Sequence, residues 1–228
     1  PMLRGKFGEE HYDHVGMAWV WGKIHTRFAS RGKGLSKEVL GYPIGSFGEI
    51  FDVLAQRIAE QGNEVHLSTP VRRIVVQKGH LTGIEVAFSG SAPSIQEFDA
   101  VIATVPSHIF PSLVPPLPDH YLARLTDVNY MAAGLIILVL DRPLSHIYWL
   151  NVADRSIPFV GVIEQTNLLS SEHYNDRHIV YLSNYLSPSH PLYQMDHEEL
   201  LQEYLPHLRK INPDFDLSWI VTTHHHRV

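Results

Sequence analysis

Apolar residues recur at spacings of three and four in Phe47, Ile50, Phe51, Leu54, Ile58 and Ala59, which predicts a helix with one face turned inward. Ser46 and Glu49 stand at the S-x-x-E spacing of a capping box, and Gly62 supplies a C-terminal stop. Upstream, Lys6 to Phe28 reads as helical, followed by a glycine-punctuated polar loop over Arg31 to Lys37. Downstream, Glu64–Leu67 and Val71–Val76 predict short strands on either side of a Thr69-Pro70 turn. Leu81–Phe88 alternates with period two after Lys78-Gly79-His80, the pattern of a hairpin. Asp99–Pro106 is apolar on both faces, as strands inside parallel or sandwiched sheets are.

The pattern changes after the prolines at 111, 115, 116 and 118. Ala133–Leu140, Ile147–Val152, Phe159–Glu164 and His178–Tyr185 predict four strands spaced for a meander. Asp196–Leu208 predicts a helix with Leu200, Leu201, Tyr204, Leu205 and Leu208 inward, and Pro206 kinks or ends it. Trp219–Val228 predicts a last strand. The fold class expected is α/β in the first half and α+β in the second, with the change near residues 107–120.

Composition narrows the function classes. The chain has 228 residues, 44% hydrophobic and 18% charged, ordinary for a globular protein. A net charge of −6 with no basic block argues against a nucleic-acid partner. The absence of cysteine excludes disulfides and Cys-ligated zinc and is compatible with a cytoplasmic setting. The longest apolar run, Met131–Leu140, falls short of the ~20 residues that span a bilayer. Peripheral membrane contact is left open. Of the 16 histidines, His224, His225 and His226 are adjacent, yet only His224 and His226 share a strand face. Two imidazoles without a neighbouring carboxylate make half a metal site, so no metal is expected.

The block from Gly41 to Pro106 carries a resemblance. Tyr42, Pro43, Gly45, Leu54, Ile58, Gly62, Val65, Val71, Ile74, Asp99, Val101, Ile102, Thr104 and Pro106 follow the spacing of a superfamily. It resembles flavin amine oxidases, protoporphyrinogen oxidases and phytoene-desaturase-like enzymes. Residues 117–228 look like the substrate domain of bacterial FAD-dependent oxidoreductases. The resemblance implies that residues 40–110 are a returning part of an FAD-binding domain. Residues 1–39 and 111–228 then form a substrate domain with a mixed, largely antiparallel sheet. It further implies FAD as cofactor, with Gly45, Ser46, Val71, Thr104 and Pro106 on its side of the fold. Where relatives carry Gly-Gly this chain has Gly45-Ser46. Tyr148, Trp149, Glu164, Asn167, Tyr181 and Tyr185 match the family's substrate sheet and are candidates for its pocket.

No G-x-G-x-x-G occurs: Gly32-x-Gly34 would need a glycine where Lys37 stands. The family's C-terminal Gly-Asp flavin motif is missing as well. The expectation is therefore the middle portion of a larger flavoenzyme, binding FAD poorly by itself, with the missing segments of its parent as partners. The parent would oxidise a C–N or C–C bond of an apolar or amine substrate by hydride transfer to flavin, and this portion alone would be inactive. The flavin carries that chemistry, so no particular side chain is expected to be catalytic. The alternatives are an isomerase resembling UDP-galactopyranose mutase, which would need several arginines in its cleft, and a non-catalytic binding module. Arg124, Arg142, Arg155, Arg177 and Arg209 are scattered through the second half.

Overall fold

The computed structural model describes residues 7–8, 12–31, 41–88, 90–128 and 130–228. The loop expected over Arg31 to Lys37 lies outside them beyond Arg31. Of the helix expected over Lys6 to Phe28, the described element is α1, Met17–Ala29. By packing, the chain divides into Ile50–Tyr130 and a discontinuous unit of Pro1–Glu49 with Met131–Val228.

The Ile50–Tyr130 unit takes in most of α2, Gly48–Glu60, and an antiparallel sheet of β1, Val71–Gln77, β2, His80–Val86, and β3, Ser94–Glu97, in that order. Lys78 and Gly79 join β1 to β2 with φ of 51° and 79°, the doubly left-handed turn that suits a twisted hairpin. Short helices α3, Phe110–Leu113, and α4, Asp119–Thr126, follow. Ser107 ties this end together: its N–H donates to the Tyr130 hydroxyl at 2.9 Å and its hydroxyl to the Leu125 carbonyl at 2.8 Å.

Two expected strands do not form. Glu64–Leu67 and Asp99–Pro106 run without strand pairing, and Ile102 is 91% exposed. Being apolar on both faces suits a strand held between two neighbours, and the described residues supply none. Conversely, β3 was not expected, because four residues are too few to display an alternation. The α2 stripe departs too: no α2 residue is buried, and Phe51 and Leu54 are exposed. Its cap also differs from the predicted box. Ser46 Oγ accepts from the Gly48 N–H at 3.1 Å, while the Glu49 side chain folds over Gly45. Gly62 ends the helix as expected, at φ 79° with its N–H on the Ala59 carbonyl.

The other unit holds a five-stranded antiparallel sheet. Its strands are β4, Ala132–Leu140, β5, Trp149–Asn151, β6, Gly161–Glu164, β7, His178–Leu186, and β8, Ile220–Arg227. The order is β5-β6-β7-β4-β8, so the expected meander holds for three strands and β4 is inserted between β7 and β8. Nine uncharged residues make β4 the strand best suited to a central place, and polar Thr222–Arg227 falls at an edge.

One face packs under α5, Pro191–Gln194, and α6, His197–Tyr204. Ile136, Leu138 and Leu140 from β4, Val180 and Leu182 from β7 and Val162 from β6 meet Leu200, Tyr204, Leu208 and Phe215 there. Each such side chain, fully buried, contributes about 1.5–3 kcal/mol. Phe159 meets Tyr204 edge-on at 5.1 Å. The helix expected over Asp196–Leu208 is α-helical only to Tyr204, and Pro206 sits where it tightens into a 3-10 turn. Asp196 and Glu199 form a full capping box at its start.

Candidate functional site

Strand register decides which side chains share a face. Trp149 pairs with Ile163, Ile163 with Tyr181, Tyr181 with Ile137, and Ile137 with His224, a row across all five strands. Asn151, Gly161, Ser183, Leu135 and His226 form the next row. The alternating positions Val162, Val180, Leu182, Ile136 and Leu138 are at most 1% exposed under the helices, so both rows lie on the far face. On that face Trp149 is 50% and Tyr185 37% exposed.

Trp149, Ile163 and Tyr181 are bulky, whereas Gly161 and Ser183 beside them are small. A Cβ on Gly161 would meet Ser183 Oγ at 2.7 Å, and that hydroxyl donates to the Gly161 carbonyl at 3.3 Å. Burial raises the Tyr181 pKa first, and the neighbouring phenols of Tyr174, Tyr42 and Tyr148 raise it further. Tyr42 comes from the glycine-rich segment before α2, and its phenol lies near that of Tyr181; its ring also meets Phe47 edge-on at 5.1 Å. Neither Tyr42 nor Tyr174 was among the expected pocket residues. Tyr42 could have been found from its place in the Tyr-Pro-x-Gly pattern, whereas Tyr174 carries no sequence signal.

Gln165 opens the 3-10 turn, Gln165–Asn167, that follows β6. It is 6% exposed and its Nε2 has no hydrogen-bond partner among the described residues. A buried open donor is uncommon in folded proteins. The strand positions of the far face on β4 to β7 carry no charged side chain. Aromatic rings, apolar side chains, hydroxyls and amides can stack on a flat or apolar molecule, exclude water and orient it.

The pocket candidates separate. Trp149, Tyr181 and Tyr185 share the far face, and the Tyr148 phenol lies near Tyr181. Glu164 is fully buried on the helix side, where its carboxylate accepts from Leu144 N, Ser145 N and Ser145 Oγ. Asn167 donates to the carbonyls of Ser145 and Ile147. Both therefore serve the loop before β5. Among the residues expected beside a cofactor, Gly45 and Ser46 belong to one unit and Val71, Thr104 and Pro106 to the other. Ser46 adopts φ 80°, a conformation that glycine takes freely and serine seldom. Val71 opens β1 opposite Val86, and Thr104 and Pro106 lie in the unpaired segment.

Residues 30–228 match the family of flavin containing amine oxidoreductases. The chain belongs to that family. No curated protein sequence matches it. The chain is similar in fold to an oxidoreductase from Methanosarcina mazei, at 21% identity and a TM-score of 0.63 over 81% of this chain and 43% of that one. It is as similar to a reduced UDP-galactopyranose mutase, at 17% identity and TM-score 0.63 over 84% and 42%. A putrescine oxidase bound to putrescine follows, at 18% identity and TM-score 0.53 over 79% and 38%. The chain thus spans about two fifths of the length of these solved structures.

The family implies FAD, and the residues present fit only part of it. The far face of the sheet, with its rings, suits one side of a flat ring system. A pyrophosphate needs a cluster of backbone N–H donors at a glycine-rich turn, and the chain has no such sequence. The space above Gly45 is taken by the Glu49 side chain: a Cβ there would lie 1.6 Å from Glu49 Oε1. By themselves these residues do not fit the dinucleotide.

Proposed function

We propose that this chain is the sheet-bearing portion of an FAD-dependent oxidoreductase whose parent removes hydride from a C–N or C–C bond of an apolar or amine substrate. The observation that carries the reading is the uncharged aromatic face of Trp149, Tyr181 and Tyr185 in a chain of this family. Such a face orients an apolar substrate and excludes water, and leaves redox chemistry to a cofactor. FAD would be held with segments beyond this chain, which by itself would be inactive. Further proposals are a small-molecule substrate, no nucleic-acid partner, and a cytoplasmic setting; no helix among the described residues is long and apolar enough to cross a membrane.

The isomerase reading has one support, a fold similarity to the mutase equal to that to the oxidoreductase. Against it, no arginine occupies the far-face strand positions where a nucleotide sugar would meet the sheet.

The test is a visible absorption spectrum of the longer gene product, purified beside this chain. Flavin bands in the parent that bleach anaerobically with an amine or apolar substrate are expected. A parent that stays colourless with added FAD overturns the reading in favour of a binding module.

A further inference from the structure

The loop Leu144–Ile147 delivers Tyr148 and Trp149 to the edge of the sheet, and its polar backbone groups are held by side chains from elsewhere. Leu144 N and Ser145 N donate to the two oxygens of Glu164, at 2.9 and 2.7 Å, and Ser145 Oγ adds a third bond at 3.0 Å. The Leu144 carbonyl accepts from Asn212 Nδ2 at 2.8 Å. The carbonyls of Ser145 and Ile147 accept from Asn167 Nδ2 at 3.1 and 3.2 Å. Ile147 N donates to Ser145 Oγ at 3.1 Å.

Glu164 grips this segment twice. Its own backbone N–H donates to the Tyr148 carbonyl at 2.9 Å, while its carboxylate holds the other end at Leu144 and Ser145. It is fully buried and is the one ionisable group among the described residues whose side chains hydrogen-bond the loop. Bonds from backbone donors to a buried carboxylate are among the stronger ones, and losing the acceptor leaves two N–H groups without partners. The segment past the loop is lightly held: Trp149 is half exposed, with its indole N–H on Asn151 Oδ1 at 3.1 Å and its ring against Tyr148 at 6.3 Å.

We propose that Glu164 is a positioning residue that sets where Tyr148 and Trp149 stand at the margin of the far face. It contacts no molecule on that face; it acts through the loop. The consequence for substrate rests on the function proposed above, whereas the placement of Trp149 does not.

The test uses the 228-residue chain with Trp19, Trp21 and Trp219 replaced by Phe, so that Trp149 alone reports. In this background Glu164→Gln keeps the volume but presents an amide N–H to one of the two donors. Ser145→Ala removes the hydroxyl's bonds to Glu164 and Ile147 while keeping the carboxylate, and guards against a Glu164 variant that fails to fold. With far-UV circular dichroism unchanged, Glu164→Gln is expected to shift Trp149 emission and raise its acrylamide quenching about twofold, with Ser145→Ala intermediate. Folded variants in which Trp149 emission and quenching match the parent chain overturn the proposal. In the longer gene product, Glu164→Gln is expected to raise KM more than it lowers kcat, with the flavin spectrum retained. If Trp149 moves and KM does not, the positioning stands and the assignment of the far face to substrate falls.

Discussion

At the scale of the residue, Glu164 closes β6 and Gln165 opens the 3-10 turn that follows it. Glu164 faces the core, and burial raises its pKa above the ordinary 4.5, against the lowering effect of its bonds to Ser145 and Leu144 and the charge of His178. A raised value means that the folded chain binds this proton more tightly than the unfolded chain. Its contribution to stability is therefore full below pH 4.5 and is lost as the pH rises through the folded value. Urea titrations of the chain and Glu164→Gln are expected to show the difference between them growing less favourable to the wild type across that rise. A constant difference would mean that Glu164 does not titrate there. Gln165 is buried with its amide N–H unpaired among the described residues. Gln165→Met is expected to stabilise the chain by about 1 kcal/mol, since a buried unsatisfied donor carries a desolvation penalty. A loss of stability would show that the amide already has a partner.

At the scale of the element, capping and pairing fix what propensity leaves open. Asp196 accepts from Glu199 N at 2.9 Å, so Asp196→Ala is expected to cost about 1 kcal/mol in thermal or urea unfolding. The antiparallel sheet of the Ile50–Tyr130 unit turns on Gly83, where a Cβ would sit 2.1 Å from the Gln96 carbonyl oxygen. Gly83→Ala should therefore part β2 from β3, read as loss of amide-exchange protection at their paired positions while β1–β2 protection persists. Asp-x-x-Glu before α6 and Lys78-Gly79 between β1 and β2 were legible because both signals are local. The Ser46–Glu49 box was legible by the same rule and did not form, because Ser46 bonds Gly48 and Glu49 turns over Gly45.

At the scale of the whole molecule, the two units differ in what covers their apolar surface. The five-stranded sheet buries a core under α6, whereas α2 exposes its stripe and Ile102 its side chain. Exposed apolar stripes of this kind mark interaction surfaces or aggregation liabilities. Leu54→Glu is expected to reduce self-association in analytical ultracentrifugation with little change in unfolding midpoint, since no packing is lost at a side chain 52% exposed. A large drop in the midpoint would show that the stripe is packed in solution.

Sequence alone determined what depends on neighbours along the chain. The α2 periodicity, the β1–β2 hairpin, the strand segments of the second half and the ordered pattern from Tyr42 to Pro106 could all be read from spacing. Tertiary structure decided what depends on pairing. It inserted β4 between β7 and β8, left Asp99–Pro106 without a strand partner among the described residues and turned Glu164 inward. It also brought Tyr42 and Tyr174 to Tyr181, more than a hundred residues from the first. A strand's face and partners follow from register, and register is set by contacts between distant segments, which no local pattern encodes.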